Sequence, residues 1–293
     1  MRSVVALLRP HQWLKNGFVL VGLLFAGSWS SPGLVAAVGV GFAAFCMAAS
    51  AVYVLNDYHD RAADARHPRK RNRPIASGRV SLPTARRLLA ALLAGALLLP
   101  LLAEQWAVLA TVAAYLVLNA AYTLRLKHQV LVDVFCIVAG FMLRLVCGTY
   151  AIGIIPSRWM LLCSFMLTLF LGFAKRRAEL GPLCSSALVL DGSTRLVLRQ
   201  YSPQLLDTLV AITASVTLLA YGLYTVDADT AAMHGTSNLI LTLPIVTFGV
   251  FRYLYLLYTH GSGEDPGRDL VSDSQIRLAV AAWALAVFLL VGA

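Results

Sequence analysis

The chain has 293 residues, of which 59% are hydrophobic and only 13% are charged, and its formal net charge is +10. A soluble protein carries about a quarter charged residues, so this composition excludes a soluble globular protein and indicates a multi-span membrane protein. Lys and Arg collect in the cytoplasmic loops of such proteins, which explains the positive charge without nucleic acid as a partner.

The N-terminal segment, residues 1–15, is short, basic and amphipathic, which is typical of a segment that lies in the membrane interface. About nine apolar segments, some shorter than the ~20 residues that a bilayer requires, are candidate transmembrane helices. They fall at residues 16–29, 33–55, 84–103, 106–124, 130–154, 157–174, 206–226, 237–258 and 275–292. This pattern predicts an all-α polytopic membrane protein with one domain over residues 1–293.

The distribution of charge predicts the orientation of this bundle. With the N-terminus in the cytoplasm, residues 56–83, 125–129, 175–205 and 259–274 are also cytoplasmic, and these regions with the adjoining helix ends hold nearly every Lys and Arg. An odd number of spans then places the C-terminus on the opposite side. We expect a plasma-membrane protein whose active-site loops, 56–83 and 175–205, face the cytoplasm.

The most informative loop follows the second apolar segment and runs from Asn56 to Gly78. If its start is helical, Asp57, Asp60 and Asp64 project within a narrow arc, with Asn56 at its edge. Carboxylates crowded on one face repel one another unless a cation neutralises them. Oxygen ligands suit Mg²⁺, which completes its shell with water and substrate phosphate. We therefore predict a Mg²⁺ site formed by all four side chains, with the aspartates as catalytic residues.

A basic run follows these carboxylates directly. It contains Arg66, Arg69, Lys70, Arg71 and Arg73. Guanidinium and ammonium groups at this density favour phosphate binding. The same run in isolation is typical of a nucleic-acid or localisation patch, but its position between two spans argues against that interpretation. We predict a Mg²⁺–diphosphate site at the membrane surface, with Lys70 and Arg73 among the phosphate ligands.

Further candidate ligands lie in or near other spans. Lys127 follows a span, where it either anchors the helix end or contacts the ligand. Arg144 lies inside an apolar segment, eleven residues after Asp133 and too far from it for direct pairing. An ionisable group in that position is costly, so Arg144 either contributes to function or forms a buried ion pair with another helix.

The last two cytoplasmic regions differ in charge. The region that starts at residue 175 opens with Lys175, Arg176, Arg177 and Glu179. Ordinary membrane anchors also end in basic residues, and Glu179 is spaced for a local ion pair with Lys175. The acidic loop at residues 265–273 either stays solvated or forms a second metal site. The five cysteines contain no C-x-x-C pair, so neither a disulfide nor a zinc site is expected.

These motifs resemble a known family. N-D-x-x-D-x-x-x-D at residues 56–64 is similar to the first aspartate motif of the UbiA superfamily of membrane prenyltransferases, nine-helix intramembrane enzymes that use Mg²⁺ to hold a diphosphate. The superfamily's second motif, D-x-x-x-D, is replaced here by K-R-R-A-E-L. That change resembles the branch of decaprenyl-phosphate phosphoribosyltransferases. So do R-P-H-Q-W-L-K-N at 9–16, H-P-R-K-R-N-R-P-I-A-S-G at 67–78, Y-T-L-R-L-K-H at 122–128 and F-R-Y at 251–253.

The resemblance implies transfer of 5-phosphoribose from phosphoribosyl diphosphate to a polyprenyl phosphate, with release of diphosphate, for the synthesis of cell-wall arabinan. The expected substrate-binding residues are Lys15, Lys70, Arg73, Tyr122, Lys127, Arg144, Lys175, Arg176, Arg177, Glu179 and Tyr201. An aromatic prenyltransferase that uses a prenyl diphosphate and a transporter of anionic lipids are the alternatives; the sequence contains no inverted repeat of the kind that transporters use. The lipid chain length and the oligomeric state, including a homo-oligomer, stay open.

Overall fold

The computed structural model describes residues 2–25, 30–66, 70–185, 196–260 and 272–291. Throughout these residues the chain consists of helices and short connections, without a strand. It forms two compact units, Met1–Pro156 and Ser157–Ala293. The all-helical fold class predicted from the sequence is confirmed.

The first unit opens with a segment that lies along a long helix. Helix α1 (Arg2–Leu8) leads into a 3₁₀ helix at Pro10–Leu20, which continues as the short helix α2 (Val21–Phe25). We call residues 2–25 the N-terminal arm. Helix α3 (Pro32–His59) begins with a proline, whose missing N–H costs nothing in the first turn. Most of its buried residues are small, so neighbouring elements can approach it closely.

The remaining helices of the first unit complete its core. Helix α4 (Arg61–Arg66) follows α3 after a single residue, and a 3₁₀ turn lies at Lys70–Asn72. Helices α5 (Leu82–Leu102), α6 (Trp106–Leu124) and α7 (Val132–Ala151) come next. Buried aliphatic and aromatic side chains from the arm, α3, α5, α6 and α7 form one hydrophobic cluster. This cluster packs α3 as far as Val52, shortly before the first predicted aspartate, Asp57.

The N-terminal arm is part of this packed unit. Leu7 and Val19 are fully buried. The backbone carbonyl of Val19 lies against Gly148 of α7, at a point where any Cβ atom would collide with it. Because only glycine fits there, the arm and α7 meet backbone to backbone.

The second unit is built from long helices with shorter ones between them. In chain order these are helix α8 (Arg158–Ser185), a 3₁₀ helix at Leu196–Gln200, α9 (Pro203–Val226), α10 (Ala228–His234), a 3₁₀ helix at Asn238–Thr242, α11 (Leu243–His260) and α12 (Ser274–Val291). The hydropathy pattern predicts that a loop starts at residue 175. Helix α8 instead continues through K-R-R-A-E-L, because Lys, Arg, Ala, Glu and Leu are all good helix formers.

Eight helical segments in the described residues are long and apolar enough to cross a membrane. They are Pro32–His59, Leu82–Leu102, Trp106–Leu124, Val132–Ala151, Arg158–Leu180, Pro203–Val226, Asn238–Thr259 and Ser274–Val291. Each overlaps one predicted apolar segment. The other predicted segment, 16–29, falls on the end of the 3₁₀ helix and on α2, and residues 26–29 lie outside the described part of the chain.

Candidate active site

A row of polar side chains on α3 binds the N-terminal arm. These side chains recur every three to four residues, so they lie on one face of the helix. Asn16 Nδ2 donates to Cys46 Sγ (3.2 Å), Trp13 Nε1 to Ser50 Oγ (3.1 Å), Tyr53 Oη to Gln12 Oε1 (3.4 Å) and Arg9 Nη2 to Asp57 Oδ1 (2.7 Å). The row ends at Asp57 and thereby brings Arg9 into the candidate site.

Asp57 and Asp64 are buried carboxylates that share one arginine. Nη1 of Arg73 lies 3.1 Å from Oδ1 of Asp57 and 2.7 Å from Oδ2 of Asp64. Arg9 approaches the same Asp57 oxygen with its Nη2 atom at 2.7 Å. The two aspartates are only 2% and 3% exposed, and buried carboxylates require such partners. We call Arg9, Asp57, Asp64 and Arg73 the carboxylate–arginine cluster; its two positive and two negative charges balance.

Arg9 is held in place by more than its ion pair. Its backbone adopts the left-handed conformation (φ 52°, ψ 59°), which is uncommon for a residue other than glycine. Its guanidinium carbon lies 4.8 Å from the centre of the Tyr53 ring, in a cation–π contact. Arg9 was not among the site residues predicted from the sequence. A single charge between the apolar sequence A-L-L and a proline was the available signal.

The other two predicted metal ligands have different partners. Helix α3 ends just before Asp60, and α4 starts just after it. Oδ1 of Asp60 lies 3.8 Å from Nζ of Lys127 and 3.1 Å from Nδ1 of His59. Oδ1 of Asn56 accepts a hydrogen bond of 2.7 Å from Thr123. The predicted set thus divides into the two buried aspartates of the cluster and two residues that contact α6 or the turn after it.

The carboxylate–arginine cluster contains the donors that Mg²⁺ uses. Mg²⁺ is usually bound by one or two carboxylates and completes its octahedron with water and substrate phosphate. Two buried aspartates within reach of one cationic nitrogen provide such a pair. Among the described residues, no group of three or more His, Cys, Asp or Glu side chains is arranged to hold a metal. The residues therefore fit a metal that the pair would hold together with ligands from outside the protein.

Arg144 is buried in the first unit without a carboxylate partner in the described part of the chain. Its Nε donates to Oδ1 of Asn16 at 2.7 Å, its Nη2 to the hydroxyl of Tyr115 at 3.1 Å, and its Nη1 to the carbonyl of Gly140 at 2.7 Å. Three aromatic rings surround the guanidinium at 4.6–5.5 Å. Arg144 therefore connects the N-terminal arm, α6 and α7 through neutral groups. The alternative prediction, a buried ion pair between Arg144 and another helix, is not found among the described residues.

The basic stretch at residues 175–179 lies on helix α8 of the second unit. Arg176 is fully buried, and its Nη1 donates to Oε2 of Glu179 at 2.6 Å. Nζ of Lys175 lies 4.0 Å from the other oxygen of the same carboxylate. Glu179 thus serves two cations, and the stretch as a whole holds three cations and one anion. Such a surplus of positive charge attracts anions.

Arg177 turns to a different partner in the second unit. Its Nε lies 2.6 Å from Oδ1 of Asp207, and the same oxygen accepts a hydrogen bond of 2.9 Å from Tyr258. Arg177 also lies over the Tyr258 ring, 5.7 Å from its centre. These contacts join α8, α9 and α11 at one point.

A second ion pair connects α11 with the start of α12. Arg252 donates to both oxygens of Asp273, from Nε at 3.3 Å and from Nη2 at 2.9 Å. Asp273 also caps α12 by accepting a hydrogen bond of 2.9 Å from the Ile276 N–H. The hydrogen bond from Arg252, followed by that from Ile276, holds the pKa of Asp273 below its usual value.

The remaining predicted ligands lie on separate elements. Lys15 is in the arm, Lys70 opens the 3₁₀ turn before Arg73, and Tyr122 is near the end of α6; all three are partly exposed. Tyr201 follows the 3₁₀ helix at Leu196–Gln200 and is buried. Most of the acidic loop predicted as an alternative metal site falls on residues 261–271, which lie outside the described residues.

These features define a class of protein before any relative is considered. Span-length helices make up most of the chain, and a buried aspartate pair sits where the first of them ends. A cation-rich helix end lies in the second unit. This combination is that of a helical membrane protein with a buried, charged site.

Residues 16–268 match the model of the UbiA prenyltransferase family, and the chain belongs to that family. Decaprenyl-phosphate phosphoribosyltransferase of Corynebacterium glutamicum is 31% identical over 296 residues, which cover 99% of this chain and 86% of the relative. The protein of the same name from Mycobacterium tuberculosis is 32% identical over 289 residues, which cover 96% and 91%. The family resemblance read from the sequence is confirmed.

The fold agrees with solved structures of the same family. A UbiA homolog from Archaeoglobus fulgidus bound to GPP and Mg²⁺ superposes with a TM-score of 0.70 over 99% of this chain and 100% of that chain, at 16% sequence identity. At that identity the similarity establishes the fold. It extends over both units, since nearly the whole chain is covered.

Proposed function

We propose that this protein transfers 5-phosphoribose from phosphoribosyl diphosphate to a polyprenyl phosphate of the decaprenyl type and releases diphosphate. The observation that carries the proposal is the charge around residues 175–177 of helix α8, where three cations outnumber the two carboxylates that pair with them, Glu179 and Asp207. A second metal would need carboxylates at that place, whereas cations bind phosphate directly. Two relatives named decaprenyl-phosphate phosphoribosyltransferase, aligned over nearly the whole chain, support the same reaction.

The charges of the two substrates agree with this surplus of cations. The donor carries a diphosphate and a separate 5-phosphate, and the acceptor carries one more phosphate. A prenyl diphosphate with a neutral aromatic acceptor would bring only one of these groups. Two substrates that repel each other must be held at reaction distance, and that requires positive side chains on several elements. Lys70, Lys127 and Lys175 are partly exposed, so they are the candidates for phosphate contacts.

Asp57 and Asp64 would hold Mg²⁺ against the diphosphate. The metal ion, when bound, supplies positive charge that stabilises the negative charge developing on the leaving group. Arg73 and Arg9 lie beside the same carboxylates and can donate hydrogen bonds to the phosphate oxygens. All of these groups act on the leaving diphosphate.

The reaction exchanges one bond at the ribose C1 atom. The bond from C1 to the diphosphate oxygen breaks, and its electron pair leaves with the diphosphate. An oxygen of the lipid phosphate forms the new bond to C1. This oxygen is already ionised at neutral pH, so the protein needs no strong general base and its main tasks are positioning and charge stabilisation.

The membrane supplies the acceptor. We propose that the polyprenyl chain lies among the span-length helices, that the site faces the cytoplasm of a plasma membrane, and that the product serves cell-wall arabinan synthesis. The charge distribution of the loops supports this orientation.

The test is a transfer assay with the full chain purified in detergent or reconstituted in lipid. Radiolabelled phosphoribosyl diphosphate and a polyprenyl phosphate are incubated with Mg²⁺, with and without EDTA. We expect label in the lipid extract only when metal is present. Absence of transfer, together with activity on a prenyl diphosphate and an aromatic acceptor, would contradict the proposal and identify an aromatic prenyltransferase.

A further inference from the structure

We propose that Arg73 is an exchangeable counter-ion, which occupies the metal position between Asp57 and Asp64 until Mg²⁺ arrives with a diphosphate and Arg73 moves onto that diphosphate. The inference rests on the proposed Mg²⁺–diphosphate site. It does not depend on which group the enzyme transfers.

Arg73 occupies the space between the two carboxylates. A single atom, Nη1 of Arg73, lies within 3.1 Å of both carboxylates. Mg²⁺ binds oxygen at about 2.0 to 2.1 Å and needs a near-octahedral set of ligands. Nη1 of Arg73 already contacts an oxygen of each carboxylate, so a metal held by Asp57 and Asp64 would compete with this guanidinium for the same acceptors.

The charges of the carboxylate–arginine cluster favour a metal that arrives with an anion. Arg9 and Arg73 balance the charges of Asp57 and Asp64. Adding Mg²⁺ to this balanced cluster leaves two uncompensated positive charges in a buried place, where like charges repel strongly. A diphosphate that enters with the metal restores the balance and gives the displaced guanidinium a new acceptor. The cluster therefore favours the metal–diphosphate complex over the free metal.

The two arginines of the cluster differ in how firmly they are held. The side chains of Asp57 and Asp64 are 2% and 4% exposed, whereas that of Arg73 is 28% exposed. Arg73 follows a short 3₁₀ turn and can swing into solvent without disturbing a long helix. Arg9 is less free, because its ring contact with Tyr53 and the buried Leu7 hold it. Arg73 is the arginine that leaves.

The experiment measures metal binding rather than turnover. Mn²⁺ serves as the probe for Mg²⁺, and free Mn²⁺ is followed by electron paramagnetic resonance in titrations of the full chain in detergent. We expect weak binding to the wild type and a Kd lower by about tenfold or more in Arg73→Gln, because the competing cation is gone. Arg73→Lys keeps the charge but lacks the planar, longer guanidinium, so its Kd should fall in between.

Two matched variants separate displacement from charge. Arg9→Gln removes a charge from the same carboxylate but from a different position, so it should tighten Mn²⁺ binding less than Arg73→Gln does. Arg87→Gln, an exposed arginine on α5, should leave the Kd unchanged. Adding Asp64→Asn to Arg73→Gln should abolish the gain, which would locate the metal between the two aspartates. Equal effects of Arg9→Gln and Arg73→Gln would overturn the exchange.

Inorganic diphosphate tests the second half of the exchange. With wild-type protein, diphosphate should lower free Mn²⁺ by more than the amount that diphosphate binds in the absence of protein. In Arg73→Gln this additional binding should be smaller, because the guanidinium that would move onto the diphosphate is missing. Weaker Mn²⁺ binding in Arg73→Gln than in wild type would overturn the inference, even if phosphoribosyl transfer is confirmed. If transfer fails but the Mn²⁺ results hold, the proposed reaction falls and the exchange stands.

Discussion

The carboxylate–arginine cluster of the first unit and the basic stretch on α8 of the second unit manage charge in opposite ways. In the first, two buried aspartates meet two arginines, and the charges balance. In the second, Glu179 is shared by Arg176 and Lys175, and cations outnumber it. A balanced cluster can exchange one cation for another, whereas a cation-rich stretch attracts an anion. Under the proposed function, the first region would hold a metal with the leaving diphosphate, and the second would bind a phosphate.

The largest expected effect comes from removing one charge of the balanced cluster. Asp57→Asn should lower kcat/KM by at least about a hundredfold, because the metal loses a ligand and the leaving diphosphate loses its stabilisation. The transfer assay measures this loss, and a melting curve checks that the variant is folded. Asp229→Asn, an exposed aspartate in α10, serves as the control. Near-normal activity in Asp57→Asn would contradict the catalytic role of the carboxylate–arginine cluster.

A substitution in the cation-rich stretch should change donor binding and stability instead. Arg176→Gln breaks the ion pair of a fully buried arginine and should cost about 2 to 3 kcal/mol of unfolding free energy. It should also raise the KM for phosphoribosyl diphosphate about tenfold while leaving the Mg²⁺ requirement unchanged. Arg158→Gln, exposed at the other end of the same helix, is the matched control. An altered Mg²⁺ requirement would show that metal binding and phosphate binding are not separated between the two regions.

Arg144 tests whether every buried cation of the first unit belongs to the metal site. Arg144→Lys loses the planar fork that reaches Asn16, Tyr115 and Gly140, so we expect about 2 kcal/mol lower stability. Mn²⁺ affinity should stay the same in the folded variant. Unfolding in detergent and the Mn²⁺ titration measure the two quantities, with Arg87→Lys as the control. A changed Mn²⁺ affinity would join Arg144 to the site.

The smallest effect is expected at the Arg252–Asp273 ion pair of the second unit, which is only partly buried. Because the pKa of Asp273 is lower in the folded than in the unfolded chain, its pair with Arg252 stabilises the fold above the unfolded value of about 4 and is lost as pH falls through the folded pKa. Asp273→Asn keeps the helix cap and removes the pair. The difference in Tm between wild type and variant should therefore be small near neutral pH and vanish in acid. A difference that persists in acid would assign the effect to the cap.

The sequence predicted the features that depend on local pattern. Hydropathy gave the span-length helices, and aspartate spacing placed Asp57 and Asp64 together near the end of α3. It selected Arg73 as a phosphate ligand but not as the partner of both aspartates. It missed Arg9, which is 48 residues from Asp57, because spacing says nothing about such distant contacts. The contact between Arg144 and Asn16 was not predicted for the same reason, since the two residues are 128 positions apart. The extent of α8 was missed because a change in polarity is not a change in helix propensity.

The position of the N-terminal arm has a consequence for biogenesis. The arm leaves the ribosome before α7, yet two of its contacts, Asn16 with Arg144 and Val19 with Gly148, need that helix, which is made more than a hundred residues later. The first half of the protein therefore cannot finish folding during synthesis until α7 has entered the bilayer. A nascent chain stalled before that point would carry Asp57 of α3 and Asp64 of α4 without a settled arm beside them. Arrested chains of increasing length, probed by protease, would reveal the step at which the arm becomes protected.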